Sequence, residues 1–242
     1  MTHLADQLAT VRTTIADAAT RAGRDPEEVR LVAVSKTHPP EAVLEVLAAG
    51  QTVFGESRVQ EARAKIPLLP SRARWHFIGH LQKNKIRQAL ALGFELFHGV
   101  DSLELARDID RISEETGARP RILIEVNVAG ESTKFGFSPA NLRAEMEELL
   151  GLSCVQIDGL MAMAPFAPEA ESSRRYFAAL RNLREALQGE FRVPLPELSM
   201  GMSGDYPVAI EEGATWVRVG GALFGTRGSK GWRPETNSAT FD

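Results

Sequence analysis

The stretch Leu31-Val32-Ala33-Val34-Ser35-Lys36-Thr37-His38-Pro39-Pro40 sets the reading of the whole chain. Four apolar residues, two of them valine, predict a short buried strand. Pro39 and Pro40 end that strand and open a helix. Ser35 and Lys36 are left at the strand's C-terminal end, where α/β proteins build their sites. A lysine amine there can attack an aldehyde and hold it as an imine. The competing reading is a solvated lysine that merely closes a strand.

The strand–helix unit repeats on either side of this stretch. Apolar runs predict strands at 31–35, 52–54, 74–78, 96–100, 122–128, 155–161, 197–199 and 215–219. Helical spacing fills the intervals at 40–49, 56–65, 82–92, 102–115, 139–150, 169–188 and 206–212. Gly50, Gly93 and Gly213 stop three of those helices, and Ser102 caps one. Leu4, Leu8, Val11, Ile15 and Ala19 place an amphipathic helix before the first strand. Strict alternation of this kind demands a parallel sheet, and eight units in about 250 residues match a (β/α)8 TIM barrel. The expected fold is therefore α/β, a single barrel domain over 1–228 with an extra N-terminal helix. An open doubly wound sheet is the alternative. Residues 229–242 are polar and aperiodic and read as a weakly ordered tail, with Trp232 able to pack back on the body.

Composition narrows the function. The 242 residues are 43% hydrophobic and 25% charged, with net charge −4 and pI near 5.8. No global basic field draws such a chain to nucleic acid or to a membrane surface. No apolar run reaches membrane-span length and the start lacks a signal-peptide pattern, so the expected location is cytoplasmic. The lone Cys154 excludes an internal disulfide and reads as a buried strand cysteine. His76, His80 and His98 are scattered over two strands, and no cluster has metal-ligand spacing, so no metal is expected.

The strand ends carry the clearest constellation. Leu198-Ser199-Met200-Gly201-Met202-Ser203-Gly204-Asp205 is a small-residue loop opening a helix, where backbone N–H groups and the Ser203 hydroxyl can meet an anion. Arg218-Val219-Gly220-Gly221 follows the last strand, and its two glycines allow close approach of a ligand to the backbone. Loops after strands 7 and 8 are the usual phosphate site of such barrels, although either could be a plain turn. An amine at Lys36, a phosphate cup at Ser203, Gly220 and Gly221, and Arg218 between them call for an aldehyde, a phosphate and an acceptor in one ligand. Pyridoxal 5′-phosphate (PLP) has all three. An arginine stays protonated, so beside the ring nitrogen Arg218 would disfavour protonation there and restrain carbanion chemistry.

With these residues in hand, the chain resembles the pyridoxal phosphate homeostasis proteins, which share the fold-type III barrel of the alanine racemase N-terminal domain. The resemblance runs from about Leu31 to Arg227. It rests on Val-Ala-Val-Ser-Lys-Thr at 32–37, Phe-Gly-Glu at 54–56, Trp-His-Phe-Ile-Gly at 75–79, Leu-Gln at 81–82 and Asn-Lys at 84–85. Gly-Leu-Met at 159–161, Leu-Ser-Met-Gly-Met-Ser at 198–203, Val-Arg-Val-Gly at 217–220 and Phe-Gly at 224–225 complete it. The resemblance implies that Lys36 carries the PLP imine, that Ser203, Gly220 and Gly221 bind its phosphate, and that Arg218 faces the pyridine nitrogen. It also implies a carrier or buffer acting in vitamin B6 and amino-acid homeostasis without substantial turnover, with PLP-dependent apo-enzymes as expected recipients. Ser57 and Arg58 stand where the family commonly has Asn and Tyr, and His80 and Lys83 where it commonly has Pro and Ser. Ser57 in place of Asn is expected to alter contacts near the cofactor ring, and the other departures to tune the rim of the pocket rather than cofactor binding. Lys134 is a second lysine within reach of the mouth, expected to cover the loop rather than accept the cofactor. Lys83, Lys85 and Arg87 read as a solvated basic face.

Two other functions compete. A PLP-dependent amino-acid racemase needs acid–base groups on both faces of the substrate carbon. The sequence ends just after its barrel, and Tyr176 and Tyr206 are its only tyrosines. Neither is expected at the mouth, and a monomer without racemase activity is therefore expected. A Schiff-base sugar aldolase is supported by fold analogy alone, and no acid is evident beside Lys36.

Overall fold

Alternation along each strand divides its side chains between two layers, and the division closes the sheet. On β1 (Arg30–Val34), Val32 faces one way while Leu31 and Ala33 face the other. Val32 joins Val53, Leu96, Leu123, Met161 and Trp216 in an inner cluster that fills the lumen. Leu31 and Ala33 belong to the far larger layer between strands and helices. The computed structural model, which describes residues 3–131, 133–225 and 232, is a closed parallel barrel in chain order with β8 paired back to β1.

The remaining strands are β2 (Val53–Glu56), β3 (Arg74–Phe77), β4 (Leu96–Val100), β5 (Arg121–Glu125), β6 (Gln156–Met161), β7 (Glu197–Ser199) and β8 (Trp216–Val219). The helices are α1 (His3–Arg21), α2 (Pro40–Ala48), α3 (Val59–Lys65), α4 (Ile86–Ala91), α5 (Leu103–Thr116), α6 (Pro139–Leu150), α7 (Arg174–Phe191), α8 (Tyr206–Glu211) and the single turn α9 (Gly221–Phe224). All eight expected strands and the N-terminal helix are present. Leu8, Val11, Ile15, Ala18 and Ala19 of α1 are buried, against α8, α9 and α2 beside the β8–β1 seam.

The differences from expectation are local. Strand 5 stops at Glu125 rather than 128 because Phe137 folds back, donating its N–H to Glu125 O at 2.8 Å and bridging Val126. The helices expected from 82 and 169 each begin with a tighter 3-10 turn, Lys83–Lys85 and Ala170–Ser173. Cys154 is buried, but in a bend before β6 rather than in a strand. The Asp110 carboxylate accepts its backbone N–H at 2.6 Å. The tail expected at 229–242 lies outside the described residues except for Trp232, which does pack back on the body. Its backbone N–H donates to Thr37 O at 2.8 Å.

Candidate functional site

The site begins in the turn after β1. Ser35 faces the helix layer, where its hydroxyl donates to Glu56 Oε1 at 2.7 Å. Alternation carries the next residue, half-buried Lys36, to the lumen side of the strand end. Thr37 then takes φ +68°, a costly conformation for a β-branched residue. Both its backbone groups are clamped: the N–H donates to Glu61 Oε1 at 2.5 Å, and the carbonyl accepts from Trp232.

Beneath this turn lies an ion cluster the sequence reading missed. Lys65 is fully buried on α3. Its Nζ donates to Ser35 O at 3.0 Å, Glu56 Oε1 at 2.7 Å and Glu61 Oε1 at 2.9 Å. The Trp232 ring lies 5.1 Å from the same Nζ. Burial raises the Glu56 carboxyl, with Lys65 pulling it back down. The cluster sits on the outer side of β1 and fixes the backbone that presents Lys36. Glu61 and Lys65 are four residues apart on one helix face, a spacing readable in the sequence. Their burial was not readable.

The cup expected after β7 and β8 is assembled. β1 and β8 are neighbours, with Ala33 opposite Val219. Gly220 therefore stands beside Val34, and a Cβ there would come within 3.3 Å of the Val34 side chain. The N–H groups of Gly220 and Ala222 both donate to Ser203 Oγ at 3.2 Å. Gly221 lies over the same hydroxyl, 3.9 Å from where its Cβ would be. Ser203, Gly220, Gly221 and Lys36 thus stand at one end of three consecutive strands, β7, β8 and β1, with Ala222 an added donor.

Arg218 points into the lumen two residues below Gly220. It is 5% exposed. Its guanidinium donates to Ser199 Oγ at 2.6 Å and to Ala162 O at 3.1 Å. Burial lowers its pKa to about 10, so it stays charged at neutral pH. His76 and His98 are not scattered. They meet in the lumen below Arg218 with their rings tilted at 45°, His76 Nδ1 2.9 Å from His98 Nε2 and His98 Nδ1 2.7 Å from Ser199 Oγ. One donor order accounts for all three contacts: Arg218 to Ser199, Ser199 to His98, His98 to His76. Burial keeps both rings neutral, lowering His76 to about 3 and His98 well below its ordinary value. Two histidines on adjacent strands at lumen-facing positions were the available signal for this column.

The other expected residues sit at the rim. Lys134 is exposed on the loop after β5, and its neighbour Ser132 lies outside the described residues. Lys83 pairs with Glu104 and Arg87 with Glu115, as a solvated face would. Ser57 lends its backbone to the packing of Gly79, where a Cβ would fall 2.3 Å from Ser57 O. His80 Nδ1 lies 2.7 Å from Asp101 Oδ2, and its ring stacks on Phe135. Tyr206 is buried in the strand–helix layer and Tyr176 lies on α7, packed against that layer from its edge. Among the described residues, no three His, Cys, Asp or Glu side chains are grouped to hold a metal ion.

The comparisons with known proteins bear on the family and the fold. The profile of the family described as alanine racemase, N-terminal domain, matches residues 7–228. A pyridoxal phosphate homeostasis protein of Aquifex aeolicus is 44% identical over 223 residues, which cover 92% of this chain and 97% of that protein. One from Pseudomonas aeruginosa is 45% identical over 233 residues, covering 94% and 97%. The structure of PipY from Synechococcus elongatus with PLP bound superposes with a TM-score of 0.81 at 43% identity, covering 92% of this chain and all of that one. On its barrel, on the glycine–serine cup beside the β1 lysine, and on these matches, the chain belongs to the pyridoxal phosphate homeostasis protein family, built on the alanine racemase N-terminal domain.

Proposed function

We propose that this chain binds PLP at the barrel mouth and holds it for delivery to other proteins rather than for turnover. The observation that supports this most is the convergence of Lys36, the Ser203–Gly220–Gly221 cup and Arg218 at the ends of three consecutive strands, β7, β8 and β1. The donor set fits the cofactor. Two backbone N–H groups and a hydroxyl suit a phosphate, a lysine amine suits an aldehyde, and a buried arginine suits a ring nitrogen that accepts a hydrogen bond. Ser203 now accepts both N–H bonds, and those donors can turn to an anion with small movement. When bound, the cofactor supplies an aldehyde that links covalently to a primary amine and a pyridine ring that withdraws electrons.

Each residue has a defined part. Lys36 holds the aldehyde end through Nζ, and the clamped Thr37 turn orients it. Ser203, Gly220 and Gly221 anchor the phosphate. Arg218, braced by Ser199 and the histidine column, donates to the ring nitrogen and keeps a proton off it. An unprotonated ring is a weaker electron sink, which favours storage over carbanion chemistry. Neither tyrosine is placed to serve as a second acid–base group. Recipient apo-enzymes and a monomeric carrier belong to this same reading.

The test is borohydride reduction of PLP-loaded protein, digestion and mass mapping of the modified lysine. The expected adduct is on Lys36 and is absent in Lys36→Ala, which keeps weak phosphate-dependent binding. An adduct on Lys134 would overturn the assignment. Light scattering and chiral analysis of incubated alanine complete the test: turnover of L- to D-alanine that vanishes in Lys36→Ala would restore the racemase reading.

A further inference from the structure

The lumen side of β5 ends in a carboxylate that the proposed function does not use. Leu123 lies in the inner cluster, so Glu125, two residues on, also faces the lumen. β5 is four strands from β1 in either direction round the ring, which places Glu125 across the mouth from Lys36. Glu125 is only 6% exposed. Among the described residues no hydrogen bond or ion pair reaches its carboxylate. Its Oε2 lies 3.3 Å from the point a Cβ on Gly99 would occupy, so glycine on β4 leaves the space into which it reaches.

A second carboxylate stands on that side. Asp101 follows β4 and is held by His80 from the end of β3, and the His80 ring stacks on Phe135 at 4.1 Å and 14°. The charged groups facing Glu125 are Asp101, which repels it, and Arg218 and His80, which attract it. Burial is the largest influence and raises Glu125 to about 7.

Burial of the residue and a second acid nearby both disfavour charge on this carboxylate. A cation with several N–H donors would relieve both. A metal ion is a poor candidate, since these groups are not gathered at ligand distance. A primary ammonium carries three donors on a compact charge and needs no such gathering. It is also the group able to exchange with Lys36 for an aldehyde.

We propose that Glu125, with the Asp101–His80 pair beside it, is an ammonium-binding pole of the barrel mouth that admits the primary amine drawing the cofactor off Lys36. The proposal rests on the cofactor reading above. The incoming ammonium passes one proton to the Glu125 carboxylate and becomes a nucleophilic amine. Its nitrogen adds to the imine carbon, its two remaining protons pass to Lys36 Nζ, and the bond from that carbon to Nζ breaks as the double bond re-forms to the incoming nitrogen. The proton held by Glu125 then passes, through water, to the departing Lys36 amine. Nothing is oxidised or reduced.

The test uses the full chain loaded with PLP, ethylamine as the probe, and Glu125→Gln. Loading is checked first, by visible absorbance and by the borohydride adduct on Lys36. The expected result is a Glu125→Gln protein that still loads, but whose cofactor is displaced by ethylamine about 100-fold more slowly, the low end of the range for general acid–base groups. Displacement from the unsubstituted protein should rise with pH through about 7, as Glu125 ionises, and Glu125→Gln should lack that component. A second readout needs no cofactor: in the apo-protein, saturating ethylammonium should lower the Glu125 titration midpoint seen by carboxyl NMR. Equal displacement rates at every pH, or a midpoint that ethylammonium does not move, would overturn the proposal. Absence of any Lys36 adduct would instead overturn the cofactor reading, while the NMR arm still reports on the pole.

Discussion

Replacing Lys65 with methionine tests the reasoning about the Lys36 turn most directly. Methionine keeps the length and apolar stem but removes three donated hydrogen bonds, two of them to carboxylates. Each charge-assisted bond contributes about 1.5–3 kcal/mol. The net cost of removing one member of a buried ion cluster is about 3–5 kcal/mol, because the remaining charges are stranded. Against a typical stability of about 5–15 kcal/mol, that is a large share. Urea unfolding followed by circular dichroism should show the loss as a lower midpoint with an unchanged slope. The loss should also depend on pH in a defined direction. Without Lys65, burial raises Glu56 still further above its unfolded value. The deficit is then full at pH above the raised folded value and shrinks as pH falls toward the unfolded carboxylate range. Lys65→Met combined with Glu56→Gln should recover part of the loss at neutral pH. A deficit below about 1 kcal/mol, or one that fails to shrink in acid, would refute the view that this cluster holds the turn.

Arg218→Gln should alter the visible spectrum and reactivity of the bound cofactor more than its retention, since the phosphate cup is separate; loosened phosphate binding with an unaltered spectrum would place Arg218 at the phosphate instead. His76 has a folded pKa of about 3 against an ordinary 6.5, so its contribution is complete above 6.5 and is lost as pH falls toward 3. Stability measured between pH 6 and 4.5 should fall less steeply in His76→Gln, by about 1.4 kcal/mol per pH unit. Gly159→Ala should prevent folding or cost more than about 3 kcal/mol, because its Cβ would lie 1.9 Å from the Glu197 backbone oxygen across the β6–β7 pair; thermal unfolding within a few degrees of the parent protein would contradict that packing.

The barrel was legible in the sequence because its cause is local. Apolar runs bounded by turn residues specify strands, helical spacing specifies the covering layer, and eight repeats of the pair leave a closed parallel sheet as the economical way to bury both. Lys36 and the cup residues were legible for the same reason: a strand end followed by Ser-Lys or by Gly-Gly marks the mouth of such a barrel. What depends on contacts between distant residues was not. His76 and His98 looked scattered because neither period nor spacing says that adjacent strands point both rings into one lumen. Lys65 looked like an ordinary basic residue at a helix end, and only the packing of α3 against β1 and β2 buries it under the Lys36 turn. Glu125 carried no sequence signal at all. Whether a strand-end carboxylate is solvated, paired or left without a donor across from the lysine is a matter of register and burial, which the closed barrel alone decides.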